Sequence, residues 1–222
     1  MVTRFRDRVD AGRVLARKLD RYRGRPDLLV LALPRGGVPV AFEVARELGA
    51  PLDVFVVRKL GMPGHEEYAI GAIASGGVRI INEEAITAFG VTDGEIEAVT
   101  AAERVELERR ERRYRDGRPP PEIAGKTVIL VDDGLATGST MRAAVEALRE
   151  EGPARLVVAV PTAAPETCHE IGRLVDDMIC AMTPEPFYAV GLWYEDFGQT
   201  TDEEVHDLLA LAAGAAHGAT RS

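Results

Sequence analysis

Residues 128–140 read Val-Ile-Leu-Val-Asp-Asp-Gly-Leu-Ala-Thr-Gly-Ser-Thr, and this stretch decides the fold class. The four apolar residues Val128 to Val131 form a short run suited to a buried strand. Asp132 and Asp133 stand at its C-terminal end, where open α/β sheets bind their ligands. The small, hydroxylic loop that follows leads into a helix. Such a loop exposes backbone N–H groups at the positive end of a helix dipole and so forms an anion nest. Thr137, Ser139 and Thr140 add hydroxyl donors. Carboxylates beside an anion nest are compatible when one ligand offers hydroxyls or a metal as well as phosphate. A ribose 5-phosphate does so, with its phosphate in the nest and its 2′- and 3′-hydroxyls on the acids. A Walker-type loop would place Lys after its last glycine, whereas Gly138 is followed by Ser139.

Outward from this segment, short apolar runs alternate with helical stretches. The runs are Leu28 to Leu33, Val54 to Val57, Val128 to Val131, Leu156 to Val160 and Met178 to Met182. The helical stretches are Arg8 to Tyr22, Val38 to Leu48, Thr140 to Glu150 and Pro165 to Val175. This alternation predicts an α/β fold, a parallel Rossmann-like sheet with helices on both faces. Gly152-Pro153 punctuates the end of one helix. Residues 1–222 read as a single domain, with an insertion at about 60–121 between the second and third core strands and C-terminal hood elements at about 183–213. The insertion holds a Gly-rich stretch from Gly61 to Gly77, a short strand at Val78 to Ile81, and a charged helix. That helix carries a capping box, Thr92 with Glu95, and pairs Glu106 with Arg110 and Glu108 with Arg112 at helical spacing. It reads as a solvated face, ending before Gly117 and the stiff run Pro119-Pro120-Pro121.

A formal charge of −9 argues against a nucleic-acid partner, which would need clustered Lys and Arg. No apolar run reaches membrane-spanning length, and the N-terminal residues lack a signal-peptide core, so no membrane partner and a cytoplasmic setting are expected. Cys168 and Cys180 read as buried apolar residues rather than metal ligands or a disulfide.

The ordered combination of apolar strand, two acids and small-x-x-Thr-Gly-small-Thr resembles the phosphoribosyl pyrophosphate signature of type I phosphoribosyltransferases. Ser139 stands where that family often has a second glycine. The resemblance implies that Asp132 and Asp133 hold the ribose hydroxyls, and that Ala136, Thr137, Gly138, Ser139 and Thr140 hold the 5′-phosphate. It makes Pro34-Arg35-Gly36-Gly37 the diphosphate loop, where glycines admit a phosphate close to the backbone and Arg35 supplies a planar fork of donors. Arg58 and Lys59, at the end of the next strand, would lie beside the diphosphate. Residues 61–77 would be a mobile loop that closes over the reaction and excludes water, carrying Glu66 or Glu67 as general acid or base.

Phe187-Tyr188-Ala189-Val190-Gly191 followed by Glu195 is similar to the purine-binding hood of hypoxanthine–guanine phosphoribosyltransferases. By position, Tyr188 would stack on an acceptor, Trp193 and Tyr194 would add aromatic surface or core, and Glu195 would lie near metal and diphosphate. Two departures stand against a purine oxo-base: Ala136 replaces an acidic residue, and Pro161-Thr162 brings no lysine. The segments FRDRVDAG, VRKLG, EEYAIGAI and VGLWYEDF resemble a less-characterised branch of predicted phosphoribosyltransferases. The expectation is a Mg2+-dependent transferase of a phosphoribosyl group from phosphoribosyl pyrophosphate to a small-molecule nitrogen acceptor. Its metal would be held by Asp132, Asp133 and Glu195 through water or through ligand. A homodimer is left open. The competing expectations are a ligand-sensing regulator without turnover and a hydrolase of the same ligand.

Overall fold

The structure is a computed structural model that describes residues 4–219, except for the side chains of Glu67 and residues 215–219. The chain runs α1 (Arg8–Lys18), β1 (Leu28–Ala32), α2 (Gly37–Leu48) and β2 (Leu52–Val54), then enters the insertion. The insertion holds β3 (Val57–Met62), β4 (His65–Ala74), β5 (Arg79–Ile81), α3 (Glu83–Phe89) and α4 (Asp93–Arg115). The core resumes with β6 (Thr127–Val131), α5 (Ser139–Glu150), β7 (Arg155–Thr162), α6 (Pro165–Gly172) and β8 (Asp177–Met182), and α7 (Asp202–Ala219) follows.

Every residue of β1 and of β6 is buried, because both faces of the sheet are covered. Val30, Ile129 and Val157 pack toward Leu15 of α1 and Val44 of α2. Leu31, Val128, Leu130 and Val158 pack on the other face with Met141, Val145 and Leu148 of α5. Near-continuous apolar runs are what parallel strands buried on both sides require. The parallel sheet has the order β2-β1-β6-β7-β8, so the winding direction reverses between β1 and β6. Open α/β sheets bind ligands at that switch point, outside the carboxyl ends of the strands. The register pairs Ala32 with Val131, and Leu33 N–H donates to the Val131 carbonyl at 2.9 Å. The loops after β1 and β6 therefore leave the sheet side by side.

Several local expectations hold. The capping box at Thr92 and Glu95 is formed, Glu106 pairs with Arg110 at 2.7 Å, and Glu108 lies 3.5 Å from Arg112. Four need correction. The run Val54 to Val57 is two strands: after Val54 the chain leaves the main sheet, Phe55 and Val56 are buried in the bend, and Val57 opens a second sheet. Ser75 fixes the bend, its hydroxyl accepting from Val56 N–H at 2.9 Å while its own N–H donates to the Val56 carbonyl at 2.8 Å. Residues 61–77 are not an open loop but mainly the hairpin β3–β4, in an antiparallel sheet of order β3-β4-β5. Its glycines serve close approach and turning. A Cβ on Gly71 would lie 2.3 Å from the Ile80 carbonyl oxygen, and Gly64 turns the hairpin with φ 79°. The first helix stops at Lys18 and the sixth at Gly172, short of Tyr22 and Val175. Finally, Cys168 of α6 and Cys180 of β8 are half-buried and joined as a disulfide, with Cα atoms 6.8 Å apart. Sequence spacing alone cannot report that α6 folds back beside β8.

The insertion is tied to the core by Arg115, at the end of α4. Its side chain is 6% exposed and donates to Asp53 at 2.9 Å, to the Val54 carbonyl at 3.0 Å and to Glu111 at 2.8 Å. No described helix is long and apolar enough to cross a membrane.

Candidate functional site

At the switch point the β1–α2 loop meets the acid pair directly. Gly36 and Gly37 have no room for side chains. A Cβ on Gly36 would lie 2.1 Å from Asp133 Oδ2, and one on Gly37 would lie 2.8 Å from the Val131 carbonyl oxygen and 2.9 Å from Asp132 Cα. Any ligand touching the Gly36 and Gly37 backbone is therefore also within reach of the acids. The Pro34-Arg35 peptide is cis.

Each acid commits one oxygen to the protein. Asp132 Oδ1 accepts from Asp133 N–H at 2.8 Å. Asp133 Oδ2 accepts from Arg8 Nε at 2.9 Å. Among the described residues, Asp132 Oδ2 and Asp133 Oδ1 have no hydrogen-bond partner. Burial raises both carboxyls above the usual carboxylate range; the neighbouring charge of Asp133 pushes Asp132 further, and Arg8 opposes the rise at both. Two crowded, desolvated carboxylates favour a ligand that brings hydroxyl donors or a cation.

The loop after the acids is open where an anion would sit. Gly138 takes φ 71°, a left-handed conformation that glycine adopts without cost. Ala136, Thr137, Ser139 and Thr140 are exposed. Among the described residues, the backbone N–H groups of Ala136 to Thr140 have no acceptor within the protein. The loop is braced from behind. Thr167 of α6 donates its hydroxyl to the Ala136 carbonyl at 2.6 Å, and a Cβ on Gly138 would strike the Thr167 methyl at 2.7 Å. Unpaired N–H groups at a helix N-terminus, held rigid, suit a phosphate.

The other expected residues are placed less uniformly. Arg35 turns toward α7, its guanidinium 3.8 Å from Asp202, which also pairs with Arg113 at 3.3 Å and accepts from Tyr114 at 2.8 Å. Arg58 is engaged by Glu103 of α4 at 2.6 Å. It lies near the start of β3, a strand of the inserted sheet, rather than at the end of a core strand. Lys59 is exposed and points to the opposite face of β3 by strand alternation. Glu66 is exposed near the tip of the β3–β4 hairpin, and the side chain of Glu67 lies outside the described ones. Tyr188 is 78% exposed. Trp193 is half-buried and stacked on Phe187 at 6.3 Å, with no hydrogen-bond partner for its Nε1 among the described residues. Tyr194 takes the core position. Glu195 is exposed, and among the described residues no three His, Cys, Asp or Glu side chains converge on one point. Asp132, Asp133 and Glu195 therefore form no preassembled metal cage. The two acids fit a divalent cation whose other oxygens come from a ligand.

Two contributors fall in segments that resemble the family, FRDRVDAG and VGLWYEDF, but carried no assigned contact with the acids in the sequence. Arg8, the first residue of α1, reaches Asp133; Tyr194 donates its hydroxyl to the Asp133 carbonyl at 2.5 Å. They arrive together because the chain near the N-terminus pairs with the segment before α7. Phe5 N–H donates to the Trp193 carbonyl at 2.9 Å, and the N–H groups of Glu195 and Asp196 donate to the carbonyls of Phe5 and Arg6 at 2.8 Å. The segments FRDRVDAG and VGLWYEDF are thus two halves of one clasp over Asp133.

A family profile described as the phosphoribosyl transferase domain matches residues 1–182. A provisionally named phosphoribosyl transferase of Mycobacterium tuberculosis is 45% identical over 201 residues, covering 90% of this chain and 45% of that protein. The chain thus spans about half the length of these curated Mycobacterium tuberculosis relatives. A bifunctional protein PyrR of Chloroflexus aurantiacus is 34% identical over 129 residues, covering 57% of this chain and 65% of its own length. The crystal structure of a Thermus thermophilus protein superposes with a TM-score of 0.81 at 45% identity, covering 93% of this chain and 98% of that one.

Proposed function

The chain belongs to the phosphoribosyl transferase family, and from that premise we propose that it binds phosphoribosyl pyrophosphate and passes the 5-phosphoribosyl group to a small nitrogen nucleophile, releasing diphosphate. One observation carries the proposal: the contact of Gly36 and Gly37 with the acid pair, opposite a loop of unpaired N–H groups. A single ligand satisfies all three features if it carries a terminal phosphate, neighbouring hydroxyls and a second phosphate group.

In this proposal the amides and hydroxyls from Ala136 to Thr140 hold the 5′-phosphate. Asp132 and Asp133 accept from the ribose hydroxyls through their free oxygens and so orient the anomeric carbon. The backbone of Gly36 and Gly37 approaches the diphosphate, and Arg35, released from Asp202, and Lys59 stabilise its developing charge, a preorganised electrostatic role. Asp132 and Asp133 would hold a Mg2+ ion, which would supply charge neutralisation for the departing diphosphate. The hairpin bearing Glu66 and Glu67 shields the site from water and is the source we propose for a proton acceptor. Tyr188 and Trp193 supply aromatic surface for the acceptor. The proposed setting is cytoplasmic, and there the Cys168–Cys180 pair would meet a reducing thiol pool.

Isothermal titration with phosphoribosyl pyrophosphate and Mg2+ tests the ligand. We expect saturable binding that Asp133→Asn abolishes while the thermal unfolding profile persists; no binding at millimolar ligand refutes the proposal. Diphosphate release measured across a panel of nitrogen bases tests turnover. Release without any base would convert the reading to hydrolysis, and binding with no release to sensing.

A further inference from the structure

We propose that Arg8 is a positioning residue that fixes which oxygen of Asp133 faces the sugar, and thereby sets the preference of the site for a ribose over a deoxyribose phosphate. The inference rests on the ribose-phosphate reading above and adds to it a residue outside the signature loop.

A carboxylate turns easily about its last bond, because a terminal sp³–sp² torsion has only broad minima. Two desolvated carboxylates on consecutive residues repel and would tend to rotate apart. At Asp133 that freedom is removed. Arg8 approaches Oδ2 with both Nε and a terminal nitrogen, each at 2.9 Å. The other terminal nitrogen donates to the Gly198 carbonyl at 2.6 Å, and the guanidinium lies 4.0 Å above the centre of the Phe197 ring, a favourable cation–π distance. The side chains of Arg8 and Asp133 are only 12% and 15% exposed. The missing Cβ of Gly36 leaves room for Oδ2. Oδ2 is thereby held inward and Oδ1 is left as the oxygen available to a hydroxyl.

The clasp explains why an arginine is needed. Phe197 packs on Tyr194 with ring centres 4.9 Å apart, and Tyr194 on Phe5 at 5.5 Å. Both the floor beneath the guanidinium and its carbonyl anchor therefore come from the segment before α7. Only a planar fork can meet a carboxylate, a carbonyl and a ring face together; a lysine delivers the charge alone.

The test compares the wild-type chain with Arg8→Gln and Arg8→Lys by calorimetric titration at fixed Mg2+. The probes are ribose 5-phosphate and its 2-deoxy and 3-deoxy analogues, and thermal unfolding is recorded for each variant. We expect the wild type to prefer ribose 5-phosphate. Arg8→Gln should lose about ten-fold in affinity for it, the worth of one hydrogen bond to a charged group, while affinity for at least one deoxy analogue stays unchanged. Arg8→Lys should recover only part of the preference. Equal losses for all three sugars in Arg8→Gln, an unchanged preference, or full recovery with lysine would each overturn the positioning role. If the wild type binds none of the three, the ribose-phosphate reading itself has failed, a result visible before any variant is compared.

Discussion

Gly36→Ala isolates the contact that carries the functional proposal. The backbone at Gly36 has φ −60° and ψ −31°, values that alanine adopts freely, so the substitution brings no conformational strain of its own. Its effect must come from the new methyl, which would lie 2.1 Å from Asp133 Oδ2, 2.7 Å from its Cγ and 3.3 Å from Arg8 Nε. Relieving the closest contact requires a retreat of about 1 Å, since non-bonded heavy atoms are not stable much inside ~3 Å. Asp133 has little freedom to retreat, because Oδ2 is held by Arg8 and Arg8 by Gly198. Overpacking of this kind costs about 1–3 kcal/mol of stability, or a melting point lower by roughly 2–4 °C per kcal/mol in a chain of this size. A functional loss comes on top of it: displacing a ligand-orienting group by about 1 Å costs on the order of 100-fold. Calorimetric titration with phosphoribosyl pyrophosphate and a melting curve read the two effects separately. A variant that binds with wild-type affinity would refute the coupling of this loop to the acids.

Three further outcomes follow from other parts of the molecule. Asp132→Asn should abolish ligand binding yet raise the stability of the ligand-free protein by about 1 kcal/mol, a common trade at functional sites. Its folded carboxyl is raised by burial and by Asp133, so ionisation weakens the fold as pH climbs through that raised value, and the gain should vanish in acid; a lower melting point at neutral pH would refute this. Arg115→Ala leaves Asp53 buried without its partner and should cost about 3–5 kcal/mol in urea unfolding; a cost below about 1 kcal/mol would mean that the insertion is held elsewhere. Reducing the Cys168–Cys180 bond, or Cys168→Ser, should cost about 3 kcal/mol by the chain-entropy account of a short loop, and should also weaken phosphate binding because α6 carries Thr167; identical melts with and without reductant would contradict it.

The parts of this molecule legible in its sequence are those whose signal is local. Val128 to Thr140 announces itself because strand, acids, glycine and helix start follow one another along the chain. The capping box of α4 is equally local. What the sequence hid depends on partners far apart in the chain. Phe55 and Val56 look like the middle of a strand, and only Ser75 shows that they are a bend. Gly61 and Gly71 suggested mobility, yet each is a place where the neighbouring strand comes too close for a side chain. Arg8 stands within FRDRVDAG, but only its contact with a residue 125 positions away shows its role. The cysteines were misread for the same reason, since their partnership depends on how α6 is laid beside β8.

The pairing of Phe5 with Trp193 and Glu195 also bears on how the protein should be handled at the bench. Phe5 lies three residues from Arg8 in the chain, so an affinity tag or fusion partner placed ahead of it would crowd the mouth of the pocket and compete with small ligands in titrations. The far end of α7 is the better attachment point. That helix of 18 residues carries a tag roughly 27 Å from Asp202, at 1.5 Å per residue.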